Sequence, residues 1–334
     1  MRSLALIAFL SQFGLQGASR CAPAPQSPSP SEPAVEEPID TESTSEATTL
    51  DRFTDYAASG AFLFDEVEEA TLALQTGRQV KVSVFEPRRS GALPMVIVSP
   101  GFQLKRDFYR SYAEHLASWG FLVVTQTYDG SVSGLFNSDH AKIAEDTLAL
   151  IDTLATDDLL NLNVNREAVA LVGHSLGGKI SILAGVLEPE IAAVVGLDPV
   201  DANTPSVTPE LIPSLAAPLL LLGETLDSRG LLQACAPADN NFEQYFADAP
   251  SGTVLLDIQG AGHMQFHDEP RCLLCRVCSN ATTAESEQVL AMSRDALTPF
   301  LLATLENLGG WEAYVAEGIL SQRWTPEQVV QSVR

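Results

Sequence analysis

From residue 60 to 306, short apolar runs alternate with amphipathic stretches, the pattern of a mostly parallel sheet covered by helices. Residues 80–85 alternate apolar and polar side chains, as an edge or early strand does. Residues 95–98 are uninterrupted Met-Val-Ile-Val, as in a strand buried on both faces, and stop at Ser99-Pro100-Gly101. The stretch 106–119 predicts a helix that stops at Gly120. Residues 121–125 predict the next buried strand, and Ile143, Leu150, Ile151 and Leu154 then share one helical face. Further strands are predicted at 168–172, 191–197, 219–222 and 254–258, with helices at 179–187 and 285–305. No internal repeat interrupts this order. The expectation is an α/β chain with a mostly parallel central sheet flanked by helices, over residues 51–306.

The ends read differently. Arg2, an apolar run over 4–10 and the small residues Gly17-Ala18-Ser19 resemble an export signal over 1–19, too short for a mature membrane span of about 20 residues. Residues 20–50 turn to Pro, Ser, Thr and Glu, with Arg20 as the one basic residue, and predict a disordered tether. Cys21 offers an alternative, a lipid anchor at the mature end, although Arg20 stands where a small residue is expected. A plastid transit peptide is a third reading, since no acid precedes Glu32. Residues 307–334 predict a helical tail, with Trp311, Tyr314, Val315 and Ile319 on one face.

Charge narrows the function classes. Nineteen Lys and Arg against 43 Asp and Glu leave a net −24. That argues against nucleic acid, which needs a basic stripe, and against an anionic membrane surface. It suits an exported, well-hydrated protein and names no ligand.

Chemistry enters at Gly173-His174-Ser175-Leu176-Gly177, between the strand at 168–172 and the helix at 179–187. This is the G-x-S-x-G pattern of a nucleophile elbow in the strand-turn-helix setting it requires. The turn is so tight that Gly173 and Gly177 leave no room for side chains. Ser175 needs a base oriented by an acid, in the chain order Ser, acid, His. His263, in a loop after the strand at 254–258, is the expected base, with His267 read as polar surface. For the acid, Asp198 at the end of its strand is favoured; Asp201, Glu224 and Asp227 are the alternatives. The oxyanion needs two N–H donors, expected from Leu176 and from Phe102, where Gly101 allows close approach. Only residues 199–218 separate Asp198 from the next strand, so no large cap domain is expected.

These blocks resemble the chlorophyllase family of α/β-hydrolases: P-G-F, then D-F-Y-R-S-Y-A-E-H-L-A-S-W-G-F-L-V-V, G-H-S-L-G-G-K, G-L-D-P-V-D, C-A-P-A-D-N-N-F-E-Q-Y-F and G-H-M. The resemblance implies an α/β-hydrolase fold and a triad of Ser175, Asp198 and His263 of the kind that cleaves the phytyl ester of chlorophyll; the expected reaction is hydrolysis of a bulky or lipidic ester through an acyl-enzyme, with no cofactor expected. Plant chlorophyllases usually carry Arg where this chain has Leu176, and His-Gly where it has Pro100-Gly101. The P-G-aromatic loop is also similar to that of cutinase-like polyester hydrolases and platelet-activating-factor acetylhydrolases. Cys235, Cys272, Cys275 and Cys278 have the number and spacing for a metal site, but in an exported chain four cysteines more often form two disulfides. Similar positions in chlorophyllase-like proteins imply a structural role, with Cys235 paired to one of the other three. Asn280-Ala281-Thr282 fits a glycosylation sequon. A rival from another class is a non-catalytic, hydrolase-like binding module on a surface tether.

Overall fold

In a computed structural model describing residues 49–128, 139–202, 204–227, 235–269, 278, 282–317 and 323–334, the apolar runs assemble into one nine-stranded sheet. The strands are β1 (Phe64–Ala73), β2 (Gln79–Pro87), β3 (Leu93–Ser99), β4 (Leu122–Tyr128), β5 (Val164–His174), β6 (Ala193–Leu197), β7 (Leu219–Glu224), β8 (Val254–Ile258) and β9 (Val329–Val333). Their spatial order is β1-β2-β4-β3-β5-β6-β7-β8-β9. The six strands from β4 to β8 in that order are parallel, while β1, β2 and β9 pair antiparallel at the flanks.

Strand alternation divides the core in two. Val96, Val98, Val172, Val195 and Leu222 face α1 (Arg110–Ser118) and α5 (Ser286–Leu305), where Leu116 and Phe300 are buried against them. Met95, Ile97, Leu171, Val194 and Leu221 face α2 (His140–Leu154) and α3 (Leu176–Leu187), with Ile143, Leu150, Ile180 and Leu183. Helices on both faces explain why the inner strands are apolar throughout. This is the α/β-hydrolase type of architecture expected from the sequence. Between β6 and β7, the described residues of 199–218 form one short 3-10 turn (Ile212–Ser214) and bury Val207, Ile212 and Leu215.

Several elements differ from the sequence reading. β1 was not foreseen because Asp65, Glu66, Glu68 and Glu69 break any apolar alternation. It is held as an edge by its ladder to β2 and by Arg88–Asp65 (2.6 Å), Arg110–Glu66 (2.5 Å) and Lys81–Glu69 (3.0 Å). The helix expected over 106–119 is a 3-10 turn (Arg106–Tyr109) followed by α1. A short helix, α4 (Phe242–Asp248), starts where the Asn241 side chain accepts the Glu243 N–H at 2.9 Å. The helical tail needs correction. Trp311–Ala316 forms α6, in which Tyr314 and Val315 are buried, but Val329–Val333 is a strand that pairs with β8. Without β9 the backbone of β8 would be an open edge. The tail therefore lies in the same compact unit as the sheet, Glu46–Arg334. The signal, most of the tether, Cys21, Cys272, Cys275, Asn280 and Ile319 lie outside the described residues, among which no helix is long and apolar enough to cross a membrane.

Candidate active site

The elbow forms where β5 turns into α3. Ser175 sits between them at φ 54°, ψ −120°, a left-handed conformation that costs about 1–3 kcal/mol in a non-glycine residue. A Cβ on Gly173 would lie 2.1 Å from the Gly177 carbonyl oxygen, and one on Gly177 would lie 2.2 Å from that of Ser99. Glycine at both positions is what lets the turn close. The Ser175 N–H donates to the Leu197 carbonyl at 3.0 Å, which fixes the turn to β6.

Asp198 follows β6 directly, also at positive φ (44°), and its N–H donates to the Leu222 carbonyl of β7 at 2.7 Å. His263 opens a 3-10 turn (His263–Gln265) beyond β8. Its Nδ1 is 2.5 Å from Asp198 Oδ2, and its Nε2 is 2.9 Å from Ser175 Oγ. Asp198 and His263 are buried and Ser175 is half-buried. With Nδ1–H donated to the carboxylate, Nε2 accepts the serine hydroxyl, an arrangement able to turn that hydroxyl into a nucleophile.

The other candidate acids are placed differently. Glu224 Oε2 accepts the N–H groups of Leu226 (2.5 Å) and Asp227 (2.7 Å), and Asp227 Oδ2 accepts the His263 backbone N–H (2.7 Å). Asp201 forms a buried ion pair with Lys179 of α3 (2.9 Å) and accepts from Ser206, Val207 and Thr208. Burial, reinforced by Asp227 and Asp257, pushes the Asp198 carboxyl up. Burial, with Asp198 adding to it, pushes Glu224 up to about 8. The His263 imidazole is pushed down mainly by burial, which outweighs the upward pull of the nearby carboxyl groups, so it rests neutral.

The loop after β3 reaches the same point. A Cβ on Gly101 would be 3.3 Å from Ser175 Cβ. Leu176 begins α3, so its N–H is one of the donors a first helical turn leaves without an intrahelical acceptor. Among the described residues neither the Phe102 nor the Leu176 N–H donates to a protein acceptor.

Three residues of this region carried no functional expectation. His174 is fully buried, with Nδ1 2.8 Å from Tyr109 Oη and Nε2 2.9 Å from the His263 carbonyl. His267, expected on the polar surface, is fully buried; its ring stacks on Phe108 at 5.6 Å and its Nδ1 accepts the Glu269 N–H. The turn at His263 folds the segment inward, which spacing alone does not disclose. The signal for His174 was its place beside Ser175; Tyr109 gave none. Cys235 and Cys278 form a disulfide, with Cα atoms 5.4 Å apart. With both sulfurs so bonded, the four-cysteine metal site weighed from the sequence is overturned.

A family model described as Chlorophyllase matches residues 58–322. Chlorophyllase-1 of Arabidopsis thaliana is 26% identical over 211 residues, 56% of this chain and 63% of its own. Chlorophyllase type 0 of Chenopodium album is 24% identical over 251 residues, 66% of this chain and 69% of its own. Cutinase est1 of Thermobifida alba is 22% identical over 185 residues, 54% of this chain and 57% of its own. The chain thus spans about three fifths of the length of Chlorophyllase-1 and Chlorophyllase-2 of Arabidopsis thaliana, at 63% and 64%.

Proposed function

As the chain belongs to the chlorophyllase family, we propose that it is a serine carboxylic-ester hydrolase with the triad Ser175, His263 and Asp198. The observation that carries this reading is the unbroken pair of contacts from Ser175 Oγ to His263 Nε2 and from His263 Nδ1 to Asp198 Oδ2. Ser175 Oγ attacks the ester carbonyl and its proton passes to Nε2, while Asp198 holds the other nitrogen and stabilises the imidazolium. The N–H groups of Phe102 and Leu176 take the charge on the tetrahedral oxygen. Collapse returns the proton to the departing alcohol and leaves an acyl-serine. Water, deprotonated by His263, then attacks the acyl carbon and restores the serine. These steps use no metal or organic cofactor.

The substrate is a bulky, lipidic or polymeric ester. Support comes from the short 199–218 segment, from the exposed Phe102 in the loop whose Gly101 lies against Ser175, and from relatives named chlorophyllase and cutinase. Wild-type protein should turn over p-nitrophenyl butyrate and label with a fluorophosphonate, and Ser175→Ala should lower kcat/KM roughly 10⁶-fold. A folded wild type that never labels would instead favour the non-catalytic binding module. Hydrolysis of chlorophyll, polyester film and phospholipids, measured side by side, assigns the ester class.

Export is the reading supported by the leader-like residues 1–19, with 20–50 read as a spacer, and the Cys235–Cys278 disulfide fits an oxidising compartment. N-terminal sequencing and intact mass of the mature protein should show cleavage near Ser19. A lipid mass on Cys21 would replace this with the anchored form, and an uncleaved chain would remove the export reading.

A further inference from the structure

We propose that Tyr109 and His174 form a strut between the loop at Gly101 and Phe102 and the base His263, making both positioning residues for ester hydrolysis. This rests on the serine-hydrolase reading above.

The strut is a directed chain of hydrogen bonds in which each atom's role is forced by its neighbour. Gly101 N–H donates to Tyr109 Oη at 3.0 Å. The Tyr109 hydroxyl, having accepted there, donates its own proton to His174 Nδ1 at 2.8 Å. Nδ1 can accept only if the imidazole proton sits on Nε2. There the His263 carbonyl oxygen, which can only accept, lies at 2.9 Å. One end of the chain adjoins Phe102, the expected oxyanion donor. The other end is the backbone of the base, and His174 itself precedes Ser175.

Packing supports the same role. Tyr109 and His174 are fully buried, so water does not compete for these bonds. Gly101 lies against the His174 ring, so closely that a Cβ would be 3.1 Å from Nδ1. The His174 and His263 rings are 4.7 Å apart between centroids. Burial, with the neighbouring imidazoles of His263 and His267, pushes His174 well down, so it stays neutral and keeps this tautomer. Phe at both positions would fill comparable space without burying a hydroxyl or an imidazole. What the polar chain adds is a set distance between the oxyanion donors and the base.

Tyr109→Phe keeps the ring and removes both bonds. On p-nitrophenyl butyrate, kcat should fall about 10–100-fold, less than the loss of an oxyanion donor itself, with KM within about threefold. Affinity for a trifluoromethyl ketone, which forms a tetrahedral adduct with the serine, should fall in proportion to kcat/KM. In Tyr109→Phe/His174→Phe the loss should match that of the worse single variant, because the two act as one chain. Folded Tyr109→Phe with wild-type kcat overturns the strut. So do unchanged ketone affinity and losses that multiply in the double variant. Should Tyr109→Phe fail to fold, His174→Gln, which keeps a donor near Nε2 and loses the Nδ1 acceptor, is read by the same measures. A wild type with neither turnover nor fluorophosphonate labelling overturns both readings, whereas an active wild type with an indifferent variant overturns the strut alone.

Discussion

Asp198 and Glu224 end neighbouring parallel strands, and their backbones give them different tasks. Asp198 turns at positive φ and sends Oδ2 to His263; Glu224 is pinned by two N–H groups of its own loop. Each keeps one buried oxygen without a hydrogen-bond partner among the described residues, Oδ1 of Asp198 and Oε1 of Glu224. Two buried charges this close are costly, and with Glu224 raised to about 8 the pair sheds one by keeping Glu224 protonated at neutral pH. The neutral isostere Glu224→Gln should therefore hold activity at pH 7 within about threefold, whereas Asp198→Asn should cost about 10⁴-fold in kcat. The reverse ranking would make Glu224 the acid of the triad. Stability follows with a definite sign. The folded chain keeps a proton that the unfolded chain releases above its ordinary 4.5, so stability falls as pH rises from about 4.5 to about 8. The shift converts to at most about 5 kcal/mol, at about 1.4 kcal/mol per tenfold change in proton affinity. Urea titrations should show Glu224→Gln gaining on wild type through that window; a constant difference would contradict a protonated Glu224.

At the scale of elements, legibility followed burial. The inner strands β3, β5, β6 and β7 and helix α3 were readable because both sheet faces are covered, which leaves uninterrupted apolar runs. The elbow was readable because its two glycines answer to backbone closures that no side chain could satisfy. β1 was not, since it lies at one sheet edge and carries its acids to solvent and to arginines contributed by distant residues. β9 was not, since a lone Val329 buried on β8 gives no period to read. For the acid the sequence offered four residues and favoured Asp198, because the turns after β6 and β7, which set where each carboxyl points, leave no periodic signal. His174 went unread and His267 was misread as surface for the same reason: their surroundings are built from separate stretches of chain, around Gly101, Tyr109, His174 and His263.

For the whole molecule the net −24 sets two effects of salt against each other. Screening weakens the attractive pairs, of which Arg88–Asp65, Arg110–Glu114 and Arg166–Asp152 are exposed on both sides. Such pairs contribute about 0–1 kcal/mol each. Screening also weakens repulsion among the acids, which outnumber Lys and Arg by 43 to 19, so most carboxylates have no basic side chain to meet. Part of that excess precedes the compact unit, at Glu32, Glu36, Glu37, Asp40 and Glu42. The rest of the excess belongs to the compact unit Glu46–Arg334. The Debye length shrinks from about 10 Å at 0.1 M to about 3 Å at 1 M, shorter than typical spacings between surface charges but longer than a contact ion pair. Repulsion should therefore be screened more completely than pairing. The expected outcome is a thermal midpoint that rises between 20 mM and 1 M NaCl at pH 7.5. The same rise should persist when residues 1–45 are removed from the comparison by proteolysis or deletion. A midpoint that falls with salt would mean that the exposed pairs, and not the excess of carboxylates, dominate the electrostatics of the fold.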